Sequence, residues 1–165
     1  MDTRPVPDWF DADRAAFMQS GVSMSLGARD LDLRPSVTRG LGCRVLAGGE
    51  VRVFVDASLS QDLLRDVEST HQVAVVFSDI VSHRTLQVKA TDAHARALDA
   101  ADRQAIEAYL ARFTEVVVGM GYPASVPRAL LGGETDARIA IVLHPHEGFE
   151  QTPGPQAGQR LEPAP

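Results

Sequence analysis

The stretch 51–64, VRVFVDASLSQDLL, decides the fold, because an alternating strand runs through small hydroxyl residues straight into a helix. Val51, Val53 and Val55 fall on one face, while Arg52, Phe54 and Asp56 fall on the other, the period of two that defines a strand. Ser58 followed three residues later by Gln61 matches a capping box, and Leu63, Leu64 and Val67 supply the apolar stripe of the helix. The first turn of a helix leaves backbone N–H groups unpaired and carries partial positive charge, so this corner is a candidate anion site. The same serines also read as an ordinary helix cap.

Working outward, Gly48-Gly49 marks the hairpin turn that precedes this strand. Upstream of it, Pro35 opens a second extended run, SVTRGLGCRVL, which Gly40 and Gly42 bend. Before that, residues 22–28 (VSMSLGA) alternate as a half-buried strand. Asp8 is positioned to cap a first helix that carries Phe10 and Phe17 on one face and stops at Gly21. Downstream, QVAVVFS and HRTLQVKA form a strand pair across the turn DIVS, with Leu86, Val88 and Ala90 opposed to Thr85, Gln87 and Lys89. After Asp99, a long helix follows from Ile106, Tyr109, Leu110, Phe113, Val117 and Met120 at helical spacing, ended by Gly121 and Pro123. One further turn over 127–131, a break at Gly132-Gly133 and a last strand, ARIAIVLHP, complete the pattern.

Five or six strands with two inserted helices and one at the start predict a mainly β, α+β chain: a split antiparallel β-barrel with flanking helices, whose closure removes exposed edges. An α+β sandwich is the alternative. Residues 1–148 read as the barrel domain and residues 149–165 as a proline- and glycine-rich tail, whose composition favours disorder.

Composition narrows the function. The chain has 165 residues, enough to bury about 68–70% of its unfolded surface in one core without disulfides or metal. Its net charge is -6, and its 15 arginines and single Lys89 are scattered among acids, so no nucleic-acid face is expected. Cys43 stands alone, which rules out an intrachain disulfide. The start, MDTRPVPDWFDADR, lacks the charge and apolar run of a signal peptide, and no stretch reaches a membrane span, so a cytoplasmic protein without membrane contact is expected. No Walker loop, G-x-S-x-G or G-x-G-x-x-G is present. His144 and His146 flank Pro145 without an acidic or thiol partner near in sequence, so no metal site is expected.

Candidate site residues cluster around the opening stretch. Arg39 and Arg44 on the bent strand are placed to converge on the helix start with Ser58 and Ser60, although solvated arginines on an edge strand give the same pattern. Arg84, Gln87 and Lys89 lie on or beside one strand, with Gln87 and Lys89 on its polar face.

Four pieces in order, RPSVTRGLGCRVL, VRVFVDASLSQDLL, HQVAVVFSD and HRTLQVKA, resemble the pyridoxamine 5'-phosphate oxidase-like proteins with an FMN-binding split barrel. The resemblance implies a homodimer with two FMN molecules at its interface, each site drawing on both subunits, and a small-molecule substrate. It also implies that Arg39, Arg44, Ser58 and Ser60 hold the phosphate while Arg84, Gln87 and Lys89 face the ring or ribityl chain; Gln87 matches the family's glutamine on that strand. The ending FEQTPGPQAG looks like that of some members and implies a tail lying over the partner subunit beside the cofactor. The chain departs from the pattern at Gln61 and Asp62, where basic residues are expected after the serine. The expected function is an FMN-binding flavoprotein, an oxidoreductase with no assigned catalytic acid or base. The alternative is a non-catalytic flavin-, deazaflavin- or haem-binding protein on the same scaffold, with His83 or His144 as the axial candidate for haem.

Overall fold

The apolar alternation seen in the sequence sorts nine strands into two antiparallel sheets, in a computed structural model that describes residues 5–132 and 137–162. The larger sheet holds β1 (Ser23–Arg29), β2 (Pro35–Arg39), β5 (Val73–Ser78), β6 (Thr85–Ala90) and β9 (Glu147–Glu150), in the order β2-β1-β5-β6-β9. The smaller holds β3 (Cys43–Val45), β4 (Val51–Asp56), β7 (His94–Arg96) and β8 (Arg138–Leu143), in the order β3-β4-β8-β7. Met24 and Leu26 of β1, Val75 and Phe77 of β5, and Leu86 and Val88 of β6 face inward against Val51, Val53 and Val55 of β4. The expected split antiparallel barrel with flanking helices is what the chain forms.

The sheets meet where the chain passes from β2 to β3. Gly40 donates to Met24 O of the larger sheet at 3.0 Å, and the next residue, Leu41, donates to Phe54 O of the smaller at 2.7 Å. Glycine is required in this corner: a Cβ on Gly40 would lie 2.7 Å from Met24 Cβ, and Gly42 adopts φ +113° with Tyr109 Cβ 2.8 Å from its own missing Cβ. The single bent strand expected over 36–46 is therefore two strands, one in each sheet.

Among the described residues four α-helices flank the barrel: α1 (Ala12–Met18), α2 (Gln61–Thr70), α3 (Ala100–Gly119) and α4 (Ser125–Leu131). The cap of α1 is Asp11, whose carboxylate accepts from Arg14 N at 2.8 Å, rather than Asp8. Trp9 and Phe10 lie ahead of the helix and are both buried. Helix α3 runs as its periodicity predicts and opens on a reciprocal box in which Asp99 and Asp102 each bind the other's backbone N–H. Among the described residues no helix is long and apolar enough to cross a membrane.

The boundary drawn at 148/149 falls inside β9. Gln87 pairs with Phe149 and Leu86 with Glu150 across β6 and β9. The chain then folds back, with Leu161 N–H donating to Gly148 O at 2.8 Å and Phe149 bridging Arg160. Residues up to 162 belong to the barrel's own edge.

Candidate functional site

The strand-to-helix corner is built differently from a capping box. Asp56, buried at the end of β4, accepts from Ser58 N at 2.8 Å, Leu59 N at 3.3 Å and the Ser58 hydroxyl. Ser58 is thus spent on the turn, and the N-cap position of α2 falls to Ser60. Ser60 makes no side-chain cap bond either, because its Oγ lies 2.6 Å from Thr38 Oγ1 on β2. The cause is strand phase: Ser36 and Thr38 face α2, Ser36 donating to Asp66 at 2.5 Å, while Val37 and Arg39 face the other way.

The result is a cleft of about 720 Å³ between β2 and an α2 start that no side chain caps. Its walls carry Asp30, Asp62 and Asp66 against Arg34 and Arg65, one acid in excess. Arg34 pairs with Asp32 at 3.4 Å and more loosely with Asp30 at 3.9 Å, and Arg65 pairs with Asp62 at 2.5 Å; both guanidinium groups are exposed. Pairs this exposed contribute little and exchange readily.

Val37, 79% exposed, stands on the rim of the cleft and begins a row across the outer face of the larger sheet. In register, Val37 faces Gly27, Gly27 faces Ala74 and Ala74 faces Lys89. Three strand spacings separate Val37 from Lys89, about 14 Å, and the two residues between them carry almost no side chain. The neighbouring row runs Arg39, Ser25, Val76, Gln87 and Phe149. A second hollow of about 420 Å³ lies over Gly27, Ala74 and Lys89. Lys89 Nζ sits 4.6 Å from the centre of the Phe149 ring, and Gln87 Oε1 accepts from Gln151 Nε2 at 3.5 Å.

The other sequence candidates lie away from the cleft. Arg44 donates to Asp102 at 2.6 Å and to Asp99 at 3.3 Å, at the start of α3. Arg39 rests over the Phe113 ring, 5.3 Å from its centre, and donates to Ser23 Oγ at 3.2 Å. Arg84 points to the face opposite Gln87, pairing with Asp13 at 2.6 Å above the Phe17 ring. His83 occupies an exposed turn at φ +64°. His144 is oriented by Asp92 at 2.7 Å, in a hollow of about 240 Å³, below the roughly 300–1,000 Å³ of ligand pockets. Among the described residues no cluster of three or more metal-binding side chains occurs.

Arg34, Arg65, Thr38 and the Gly27–Ala74 floor border these hollows without any motif that marks them in the sequence. The usable signal was the phase of β2, since placing Ser36 and Thr38 toward the helix turns Arg39 away from it.

No family model matches the sequence, and no curated protein does. Solved structures do match. A candidate pyridoxamine 5'-phosphate oxidase from Lactobacillus delbrueckii superposes with a TM-score of 0.53 at 16% identity, over 86% of this chain and 94% of that one. HupZ from Group A Streptococcus superposes with a TM-score of 0.54 at 13% identity, over 90% of this chain and 100% of that one. At such identities the likeness is one of fold, and with two antiparallel sheets joined at the β2–β3 corner the chain has the split-barrel fold of the pyridoxamine 5'-phosphate oxidase-like proteins.

Proposed function

We propose that the chain binds FMN, with the phosphate at the open start of α2 and the flat ring along the Gly27–Ala74 floor toward Gln87 and Lys89. The observation that carries this reading is the uncapped start of a ten-residue helix opening on a cleft, at whose rim Val37 begins the row that crosses Gly27 and Ala74 on the outer sheet face. The donor set fits a phosphate through neutral groups: first-turn N–H groups of α2 and the Ser60 hydroxyl, with Ser58 on the rim. Arg34 and Arg65 can leave their exposed pairs to approach it, whereas Asp62 in the same helix turn opposes it. A bound flavin supplies two-electron redox chemistry, so the expected activity is that of an oxidoreductase on a small molecule. Gln87 and Lys89 offer an amide and an ammonium toward the heteroatoms of the ring.

The functional unit in this reading is a homodimer, in which a second copy covers the outer sheet face and its exposed Val37. A reducing cytosol suits the free, buried Cys43. Fluorescence titrations with FMN and riboflavin test the phosphate placement. FMN should bind at least about tenfold more tightly than riboflavin, since charge-assisted contacts to the phosphate are lost with it. Ser60→Asp should abolish the difference. Absence of flavin quenching, or equal affinity for the two, sinks the proposal.

A further inference from the structure

Another cavity, of about 310 Å³, opens between the C-terminal half of α3 and the β5–β6 turn. Phe113 and Val117 form its floor, and Ile80, Met120 and Leu130 form its walls, with Arg39 at one end. Met120 and Leu130 are 46% and 50% exposed, so the apolar surface continues outward from the cavity to solvent.

Arg39 is the feature that apolar packing does not explain. Its guanidinium lies over the Phe113 ring and donates to a neutral acceptor, Ser23 Oγ, while its Nε is shielded from water and has no hydrogen-bond partner. Among the described residues no carboxylate forms an ion pair with it. A half-buried cation without a counterion is costly, and a ligand that brings a carboxylate offsets that cost. A guanidinium that lines a cavity with one neutral acceptor and an unpaired Nε keeps donor capacity for a ligand.

We infer that this cavity binds a small organic acid whose carboxylate pairs with Arg39 and whose apolar, aromatic or branched body packs on Phe113, Val117 and Leu130. The planar guanidinium presents parallel donors that match a carboxylate. The site stands apart from the proposed flavin cleft and shares no residue with it.

Methyl NMR of the full chain tests this with phenylbutyrate and its primary amide, read at Ile80, Val117, Met120 and Leu130. The acid should shift these methyls at concentrations about tenfold lower than the amide requires, the cost of one charge-assisted pair. Arg39→Gln should bring acid and amide level while FMN affinity stays unchanged. Leu130→Glu, on an exposed wall that folding tolerates, should weaken the acid more than the amide, and it carries the test if Arg39→Gln does not fold. The inference is overturned by no methyl shift with the acid, by equal response to acid and amide, or by an acid preference that survives in a folded variant. Loss of FMN binding in folded Arg39→Gln also overturns it, since that assigns Arg39 to a phosphate instead.

Discussion

Asp102 shows how much one residue can decide. Its side chain is 0% exposed, yet it accepts from Arg44 at 2.6 Å and lies 3.3 Å from Arg52, itself buried on β4. Burial disfavours the charge on Arg52, but hydrogen bonds to Glu50 and Asp99 outweigh it and hold its pKa above the ordinary value. Removing the shared carboxylate leaves Arg44 with Asp99 alone and Arg52 with Glu50 and Asp99, so Asp102→Ala should cost about 1.5–3 kcal/mol in denaturant unfolding, the range for a hydrogen bond to a charged group; a loss below 1 kcal/mol would show the cluster to be well hydrated. Asp99 adds a pH signature. The backbone N–H of Asp102, ahead of the opposing effect of desolvation and with help from Arg52, lowers its pKa below the ordinary 3.8. A lowered carboxylate contributes stability above its unfolded pKa and loses it as pH falls through the folded value. The difference in melting temperature between wild type and Asp99→Asn should therefore be full at neutral pH and shrink from about pH 4 downward; a constant difference across that range would remove the charge from the explanation. At the cleft, Asp62→Asn removes a like charge from the helix turn proposed to hold the phosphate and should raise FMN affinity several-fold at low salt, less at high salt. Little of this was legible in the sequence: Arg44 was visible as a cation on a strand, but its partner Asp102 is 58 residues away.

At the level of elements, the parts with long, regular patterns were readable and the short ones were not. Helix α3 and strands β4, β5 and β6 follow from the apolar period of the sequence over six residues or more, with β5 and β6 buried on alternate residues and β4 buried on both faces. Strands β7 and β9, of three and four residues, are too short for alternation to register and exist because neighbours accept them, β8 in one case and β6 in the other. The start of α2 misled for another reason. The sequence offers two serines for one cap, and a contact to Thr38, 22 residues away, takes Ser60 while Asp56 takes Ser58. Helix α1 is fixed to the barrel in an equally non-local way. Trp9, just before it, lies on β9, where a Cβ on Gly148 would come 2.6 Å from its ring. Gly148→Val should therefore displace Trp9, costing about 1–3 kcal/mol as overpacking does. Trp9 is the one tryptophan of the chain, so its emission reports the event directly: a red shift is expected, and an unchanged spectrum would mean that β9 moves instead.

For the whole molecule, the question is what closes the larger sheet. Its order ends on β9, a strand followed by a segment that returns over it, so the β6 edge is covered by the last part of the chain. The links are specific: Thr85 N donates to Thr152 Oγ1 and Gln151 N to Thr85 O, both at 2.9 Å, while Glu150 N reaches Gln159 O and Gly158 N reaches Glu150 O. Glu150 is part of this closure, since burial opposes its charge but hydrogen bonds from Thr152 prevail and lower its pKa. A free tail would make none of these contacts, and its removal would be silent. Ending the chain after Gly148 instead removes half of β9, the Phe149 ring beneath Lys89 and the partners of Thr85. Losing about four net hydrogen bonds at roughly 0.5–1.5 kcal/mol each gives about 2–6 kcal/mol, a fall in melting temperature on the order of 10 °C for a domain of this length. The bared edge of β6 also offers unpaired backbone groups to other chains. Light scattering should thus show larger species for the truncated chain where the intact one is uniform, and flavin affinity should fall as the end of the floor at Lys89 loosens. A truncated chain that melts as the intact one does and stays uniform would mean that β6 serves as a stable edge by itself.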